Sequence, residues 1–224
     1  MHISKAEIIT IKDYIHDSDV IFDVGAAKGD WTNEVLKRHT PLAVHLFEPI
    51  PSICNMLYKR YDSDKRIIIN CCAVSNIKSI KNFCIYPEYL NMSSIYQRRM
   101  EVEKKVKIHP NFIDVYALSL DEYCREKEIN IIDFLKIDTE GSEYDILKGA
   151  VGLLLEHKIK KIQFEYGECF LDAGFTLKEV FRFLQDIGYS IAEMTNKGLK
   201  PIKQFTCELE NYKWTNFLAS IRKD

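Results

Sequence analysis

The sequence contains little glycine and proline, and what it lacks excludes several classes of protein. Its 224 residues include 9 glycines and 6 prolines without a repeat, which excludes a collagen-like or low-complexity chain. No apolar run approaches the roughly 18 residues that a membrane-spanning helix needs, and the N-terminus lacks the continuous apolar stretch of a signal peptide. We therefore expect one soluble, cytoplasmic domain over residues 1–224.

Neither sign of charge predominates, and the cysteines form no recognisable pattern. The chain has 31 Lys and Arg against 33 Asp and Glu, a net charge of −2, so its overall charge does not attract nucleic acid or anionic membranes. The number of cysteines, seven, is odd, with no C-x-x-C pair and no zinc-site spacing, which is typical of a reduced compartment. We expect no nucleic-acid partner, and the oligomeric state stays open.

The chain does contain a regular alternation of apolar strands and amphipathic helices. After an N-terminal helix within residues 1–17, we predict strands, with helices following most of them, at 19–24, 42–47, 66–74, 114–118, 131–137 and 160–166. Such alternation is typical of a parallel sheet that is covered by helices on both faces. Two late strands near 189–194 and 213–220 have no helix between them and predict an antiparallel hairpin at one sheet edge.

Residues 76–113 interrupt this regularity. The stretch is polar and has no sustained period, so we predict a hairpin near 79–86 and loops beyond it. Its basic residues are predicted to form a solvated face: Arg98, Arg99, Lys104, Lys105 and Lys107. Because insertions on a regular scaffold often carry specificity, we expect this one to shape the pocket of the substrate.

A glycine turn follows the first predicted strand, in the segment Asp23-Val24-Gly25-Ala26-Ala27-Lys28-Gly29. Parallel sheets bind ligands at the carboxyl ends of their strands, where the strand order reverses, and glycine lets the backbone approach a ligand closely. The spacing is G-x-x-x-G, whereas dinucleotide sites usually show G-x-G-x-x-G. A ligand that carries an amino acid and a nucleoside therefore fits better, although a buried turn can also use glycine for packing alone.

Acidic residues follow two other predicted strands. Glu48 ends the second strand, where a carboxylate can accept hydrogen bonds from both hydroxyls of a ribose. Asp138 and Glu140 follow the strand 131–137, and they could hold a substrate amino group, act as a base, or share a divalent cation with Glu165 and Glu168. The alternatives are a solvated Glu48 and a Glu140 that only caps the next helix.

Four motifs in this order closely resemble the FkbM-type family of S-adenosylmethionine-dependent methyltransferases. They are Asp-Val-Gly-Ala-x-x-Gly at 23–29, Phe-Glu-Pro at 47–49, Ala-Val-Ser at 73–75 and Lys-Ile-Asp-Thr-Glu-Gly-Ser-Glu at 136–143. The resemblance covers about residues 18–220. It implies a Rossmann-like α/β fold of the class I methyltransferases, with a seven-stranded, mostly parallel sheet of order 3-2-1-4-5-7-6. It also implies methylation of a hydroxyl on a sugar or natural-product-like small molecule.

The resemblance further implies which residues contact the cofactor, S-adenosylmethionine. The implied set is Asp23, Gly25 and Ala26 at the methionine part, Gly29 in the same turn, Glu48 at the ribose, Cys72 and Ala73 at the adenine, and Asp138 near the methyl group. The candidates for the base are Asp138, Glu140 and Glu165, and whether a divalent metal assists is left open. Ala27 and Lys28 depart from the family pattern. Two other readings remain: a noncatalytic Rossmann-like binding domain and a nicotinamide-dependent oxidoreductase.

Overall fold

The computed structural model describes residues 3–98 and 109–222, and these contain two β-sheets. The strands are β1 Val20–Val24, β2 Ala43–Phe47, β3 Ile67–Asn70, β4 Ala73–Val74, β5 Ser79–Ile85, β6 Asn111–Leu118, β7 Phe134–Ile137, β8 Lys161–Tyr166, β9 Tyr189–Thr195, β10 Gly198–Ile202 and β11 Thr215–Ile221. The larger sheet runs β3-β2-β1-β7-β8-β11-β9-β10, and the smaller runs β4-β6-β5. The predicted single-domain organisation stays a prediction.

The larger sheet confirms the predicted α/β fold. Strands β3, β2, β1, β7 and β8 are parallel, and β11 is antiparallel to both of its neighbours. When β10 is left out and the other seven strands of this sheet are numbered in chain order, they lie in the predicted order 3-2-1-4-5-7-6. The eighth, β10, pairs with β9 and forms the edge, where Pro201 is tolerated because an edge strand needs fewer backbone donors.

Helices cover both faces of this sheet. The described helices are α1 Lys5–Tyr14, α2 Asp30–Leu36, α3 Pro51–Arg60, α4 Leu120–Glu126, α5 Glu143–Lys148, α6 Val151–Leu155, α7 Cys169–Ala173 and α8 Leu177–Asp186. Neighbouring residues of β1 point to opposite faces, so that Ile21 packs with Ile11 of α1 while Phe22 packs with Tyr123 of α4. None of the helices in the described ranges is long and apolar enough to cross a membrane.

The structure corrects the predicted strands near the insertion. The strand predicted within 66–74 is β3, and it ends at Asn70, because the N–H of Cys72 turns back and donates to the Asn70 carbonyl at 2.9 Å. The same stretch also contains β4, which belongs to the smaller sheet. The predicted hairpin near 79–86 is wrong: β5 pairs with the distant β6, with Ile85 opposite Asn111. The strand predicted at 114–118 lies within β6, in the smaller sheet.

Two further boundaries differ from the predictions. The helix predicted over 142–156 is divided into α5 and α6 at Gly149. A Cβ atom at Gly149 would lie 2.2 Å from the Ser75 carbonyl oxygen, so the chain needs glycine to pass this loop. Asp121 then accepts hydrogen bonds from the first N–H groups of α6, at 2.8 and 2.9 Å. The predicted terminal hairpin is also corrected, because β11 lies between β8 and β9 and the edge belongs to β10.

Candidate functional site

A cavity of about 500 Å³ opens at the carboxyl ends of β1, β2 and β7. The strand order reverses between β1 and β7, which is where open α/β sheets bind ligands, and the volume suits a small molecule. The lining residues are Val24, Gly25, Ala27, Lys28, Phe47, Glu48, Pro49, Ile50, Ile53, Cys72, Ala73, Val74, Phe83, Pro87, Glu88, Leu90, Ser93, Ile95, Asp138, Thr139, Glu140 and Ser142. Residues of the glycine turn, of two strand ends and of the insertion therefore line the same cavity.

The glycine turn is held close to the end of β7. Gly25 has a φ of +78°, and a Cβ atom there would lie 1.9 Å from the Asp138 carbonyl oxygen. Gly29 has a φ of +76°, and its carbonyl accepts a hydrogen bond from the Tyr61 hydroxyl at 2.7 Å. Gly25 faces the cavity, whereas Ala26 lines a small recess beside α1 and Gly29 begins α2. The first glycine therefore serves a close approach of two loops, and the second serves packing.

Glu48 is buried in the cavity wall beside the glycine turn. Its carboxylate accepts hydrogen bonds from the N–H groups of Ala27 at 3.0 Å and Ile50 at 2.9 Å, which fixes its orientation. Burial raises the pKa of Glu48 to about 7, against the effect of these hydrogen bonds. The alternative that Glu48 is a solvated acid is therefore wrong, and burial brings its pKa close to neutral pH.

Asp23 lies behind the cavity wall and forms an ion pair with Lys136. It is fully buried, and its carboxylate accepts from the Thr32 hydroxyl at 2.7 Å and from Lys136 Nζ at 3.0 Å. Lys136 Nζ also lies 3.4 Å from Asp138 Oδ2. Burial opposes the charge of Lys136, but the carboxylates of Asp23 and Asp138 raise its pKa above the usual value. Asp23 thus contacts Lys136, which in turn lies beside Asp138 in the cavity wall.

Three carboxylates meet beside the cavity, at the ends of β7 and β8. Oxygen atoms of Asp138, Glu140 and Glu165 all lie within 4.8 Å of one another. Glu140 has a left-handed φ of +59°, which is uncommon for a residue with a side chain. Burial and then the charges of Asp138 and Glu140 raise the pKa of Glu165 well above its usual range. Glu168 begins α7.

The loop that carries Asp138 and Glu140 is shaped by Glu143, which sequence reasoning missed. This fully buried carboxylate accepts from the N–H groups of Thr139 at 2.8 Å and Gly141 at 2.9 Å, and from the Thr139 hydroxyl at 3.0 Å. It holds the turn in which Glu140 adopts its left-handed conformation. The signal in the sequence was an acid just after Gly141 at a helix start, which resembles ordinary capping.

The insertion is anchored onto the same loop. The Ser94 hydroxyl donates to the Thr139 carbonyl at 3.2 Å, the Tyr96 hydroxyl contacts the Asp145 carboxylate, and the Arg98 guanidinium contacts Glu140. The prediction of a solvated Arg98 is therefore wrong: its side chain is fully buried, because the Glu140 carboxylate compensates its charge. The other basic residues of that prediction lie outside the described residues.

Cys72 and Ala73 also line the cavity as buried residues, with Cys72 between β3 and β4 and Ala73 at the start of β4. Ala73 packs with Ile50, Ile53 and Phe83, so α3 and the insertion share an apolar wall with it. An apolar wall of this kind suits a flat ring that is not charged.

Solved structures with the same fold include several methyltransferases. Methyltransferase FkbM from Methylobacillus flagellatus has a TM-score of 0.56 at 18% identity, over 92% of this chain and 44% of that one. An rRNA methylase from Streptococcus thermophilus has a TM-score of 0.51 at 9% identity, over 100% and 99%. A Streptococcus mutans protein in complex with SAH has a TM-score of 0.51 at 8% identity, over 99% and 100%. At these identities the likeness concerns the fold alone.

Sequence comparison is more specific. The 31-O-demethyl-FK506 methyltransferase FkbM of Streptomyces tacrolimicus is 26% identical over 160 residues, which are 61% of this chain and 61% of that protein. The family profile described as the methyltransferase FkbM domain matches residues 23–191, a range that begins at the glycine turn and includes the three carboxylates. The chain belongs to the FkbM methyltransferase family.

Proposed function

We propose that this protein transfers a methyl group from S-adenosylmethionine to a hydroxyl of a sugar or natural-product-like small molecule. The observation that supports this most is the cavity, in which Gly25, Glu48 and Asp138 face one space at the strand-order reversal. The Streptomyces relative is named for the methylation of an oxygen on a natural product. The absence of paired cysteines, since all seven are free, supports a cytoplasmic location.

The residues present fit S-adenosylmethionine. Gly25 leaves room for a ligand to approach the backbone, Glu48 offers a carboxylate to the two ribose hydroxyls, and Cys72 and Ala73 offer an apolar edge to the adenine. Asp138 lines the cavity beside the Gly25 turn, which is the position for the methionine part. Asp23 and Gly29 support the turn from behind.

When bound, this cofactor supplies a methyl group that is already activated for transfer. The chain must then align an acceptor oxygen and remove its proton. Asp138 is the best placed of the three candidates, because it lines the cavity and its Oδ1 atom accepts no hydrogen bond from the described residues. Glu140 also lines the cavity, but its carboxylate contacts Arg98. Glu165 lies behind Asp138 and adds negative charge beside it.

Calorimetric titration separates this function from the two alternatives. We expect saturable binding of S-adenosylmethionine and none of NAD, with weaker binding in Glu48→Gln. Saturable binding of NAD would favour the oxidoreductase, and binding of neither ligand would favour a noncatalytic domain.

The acceptor is tested with S-adenosylmethionine labelled in its methyl group. We expect label to enter sugar or macrolide hydroxyls and not tRNA or rRNA, and we expect Asp138→Asn to abolish the transfer while it still binds cofactor. Label in RNA, or wild-type turnover in Asp138→Asn, would contradict the proposal. The apolar residues that the insertion adds to the cavity, Phe83, Leu90 and Ile95, favour a partly apolar acceptor.

A further inference from the structure

Trp214 lies at the surface, although its ring packs closely against the backbone beneath it. The residue is 54% exposed, and within the described part of the chain it makes no hydrogen bond and no contact with another ring. Gly167 below it is buried, and a Cβ atom there would lie 2.7 Å from Cδ1 and 3.0 Å from Nε1 of the indole. The absence of a side chain at Gly167 therefore lets the indole lie against the backbone.

Trp214 lies at the edge of the larger sheet where α/β proteins bind ligands. Thr215 begins β11 opposite Tyr166, the last residue of β8, so Trp214 and Gly167 lie just beyond the carboxyl end of β8. Strand β8 is parallel to β7, which Asp138 follows at the same edge. The order β7-β8-β11 separates β11 from β7 by two strand spacings, which is about 10 Å. A ligand that extends from Asp138 across the end of β8 would therefore reach the indole.

The exposed indole suits a ring with an apolar face. Trp offers a large, rigid contact area at low cost in conformational entropy, and a side chain that is already held in place loses less freedom on binding. Asn216, two residues further along, is half-buried, and its Oδ1 atom accepts a hydrogen bond from Gln163 Nε2 at 3.5 Å. A sugar ring matches this surface, because it has C–H groups on its faces for the indole and hydroxyls around its rim for the amide.

We infer that Trp214 stacks on a sugar ring of the acceptor, at a subsite outside the cavity lining. The acceptor would place one hydroxyl in the cavity and extend over the end of β8 to the indole. Because a single sugar ring does not span this distance, the acceptor is an oligosaccharide or a larger glycoside. For methyl transfer the inference rests on the proposed function, whereas the binding of sugar to Trp214 is measured independently of it.

The test measures the binding of fluorescently labelled protein, over a range of concentrations, to an array of defined mono- and oligosaccharides. We expect saturable binding of oligosaccharides by the wild type. Trp214→Ala should weaken it by about tenfold or more, as loss of a central Trp does at other interfaces, and Trp214→Tyr should keep part of it. The matched control is Phe112→Ala in β6, at a ring that is 51% exposed outside the cavity lining, and it should bind like the wild type.

A second pair of variants tests how the ring is held. Gly167→Ala places a Cβ atom where the indole lies, so we expect weaker binding of the same sugars. In Gly167→Ala/Trp214→Ala the change of glycine should add nothing to the loss in Trp214→Ala, because there is no indole left to displace. Thermal unfolding first shows that each variant is folded. Additive losses would contradict the role of Gly167.

The outcomes separate this inference from the proposed function. Absence of saturable sugar binding by the wild type, or equal affinity in Trp214→Ala, would overturn the inference. A wild-type dimer that Trp214→Ala converts to a monomer in analytical ultracentrifugation would also overturn it, because the ring would then belong to an interface between two copies.

S-adenosylmethionine is titrated into the same preparations. If it binds and its methyl group is transferred equally well without Trp214, the proposed function stands alone. Sugar binding that depends on Trp214, without binding of S-adenosylmethionine, would remove the proposed function and keep the subsite. If both hold, Trp214→Ala should raise the KM for the bound oligosaccharide and leave kcat unchanged.

Discussion

Lys136→Met removes a buried ammonium from between two carboxylates. Lys136 is 3% exposed and Asp23 is fully buried, and their side-chain atoms lie 3.0 Å apart. Loss of one partner from a buried ion pair costs about 3–5 kcal/mol, because the remaining charge stays buried without compensation. We therefore expect the free energy of unfolding, measured with urea, to fall by about this amount.

A second variant separates the ion pair from the packing of the side chain. In the double variant Asp23→Asn/Lys136→Met, no buried charge is left without compensation at this pair, so we expect a smaller loss than in Lys136→Met alone. Lys158→Met is the matched control, since Lys158 pairs at 2.6 Å with Glu156 at the surface, where they are 39% and 61% exposed. Such pairs contribute about 0–1 kcal/mol.

The reasoning would be refuted by a Lys136→Met variant that is no less stable than Lys158→Met. It would also be refuted if the double variant lost the full sum of the two single changes, because the two residues would then act independently. Cofactor titration of the same variants shows whether Asp23 supports the cavity through Lys136.

Four further predictions concern Glu48, Gly25 and Arg98. Burial raises the pKa of Glu48 to about 7, so S-adenosylmethionine should bind more tightly as the Glu48 carboxyl group ionises. Calorimetry at pH values on both sides of this pKa should show that Glu48→Gln removes the pH dependence of cofactor binding. The same shift makes the folded state bind this proton more tightly than the unfolded chain, so its contribution to stability falls as the pH rises from about 4.5 to about 7. Gly25→Ala should abolish cofactor binding and lower the melting temperature, because its Cβ atom would lie 1.9 Å from a backbone oxygen. Arg98→Met should destabilise the protein by about 3–5 kcal/mol in urea unfolding, and Arg98→Met/Glu140→Gln should recover part of that loss.

Each of these has a control and an opposing result. A pH profile that is unchanged in Glu48→Gln would show that ionisation of Glu48 does not cause the dependence. Gly174 also has a positive φ, of +75°, but nothing lies within 4 Å of a Cβ atom there. Gly174→Ala should therefore keep cofactor binding, and equal loss in both glycine variants would contradict the role of close approach. No recovery in the Arg98 double variant would show that the pair itself is not what matters.

Local pattern determined much of this protein. The apolar runs and capping residues predicted most strands and helices, since each depends on neighbours a few residues away. The four motifs led to the family, and the position of Glu48 after a strand placed it at the cavity without further information. The edge strand β10 was missed because it contains Pro201, and proline argues against a strand. The division of α5 from α6 depends on a contact of Gly149 with Ser75, which is distant in the chain.

Only the tertiary structure decided how the charges of the site are compensated. Asp23 and Lys136 are 113 residues apart in the chain, and Arg98 and Glu140 are 42 apart. Whether such residues meet depends on which strands pair and in what register, and a shift of one residue would turn each side chain to the other face. The sequence by itself therefore determined which acids end the strands. The packing of the sheets and the insertion decided which of those acids meet a cation of the chain: Asp23 and Asp138 meet Lys136, and Glu140 meets Arg98.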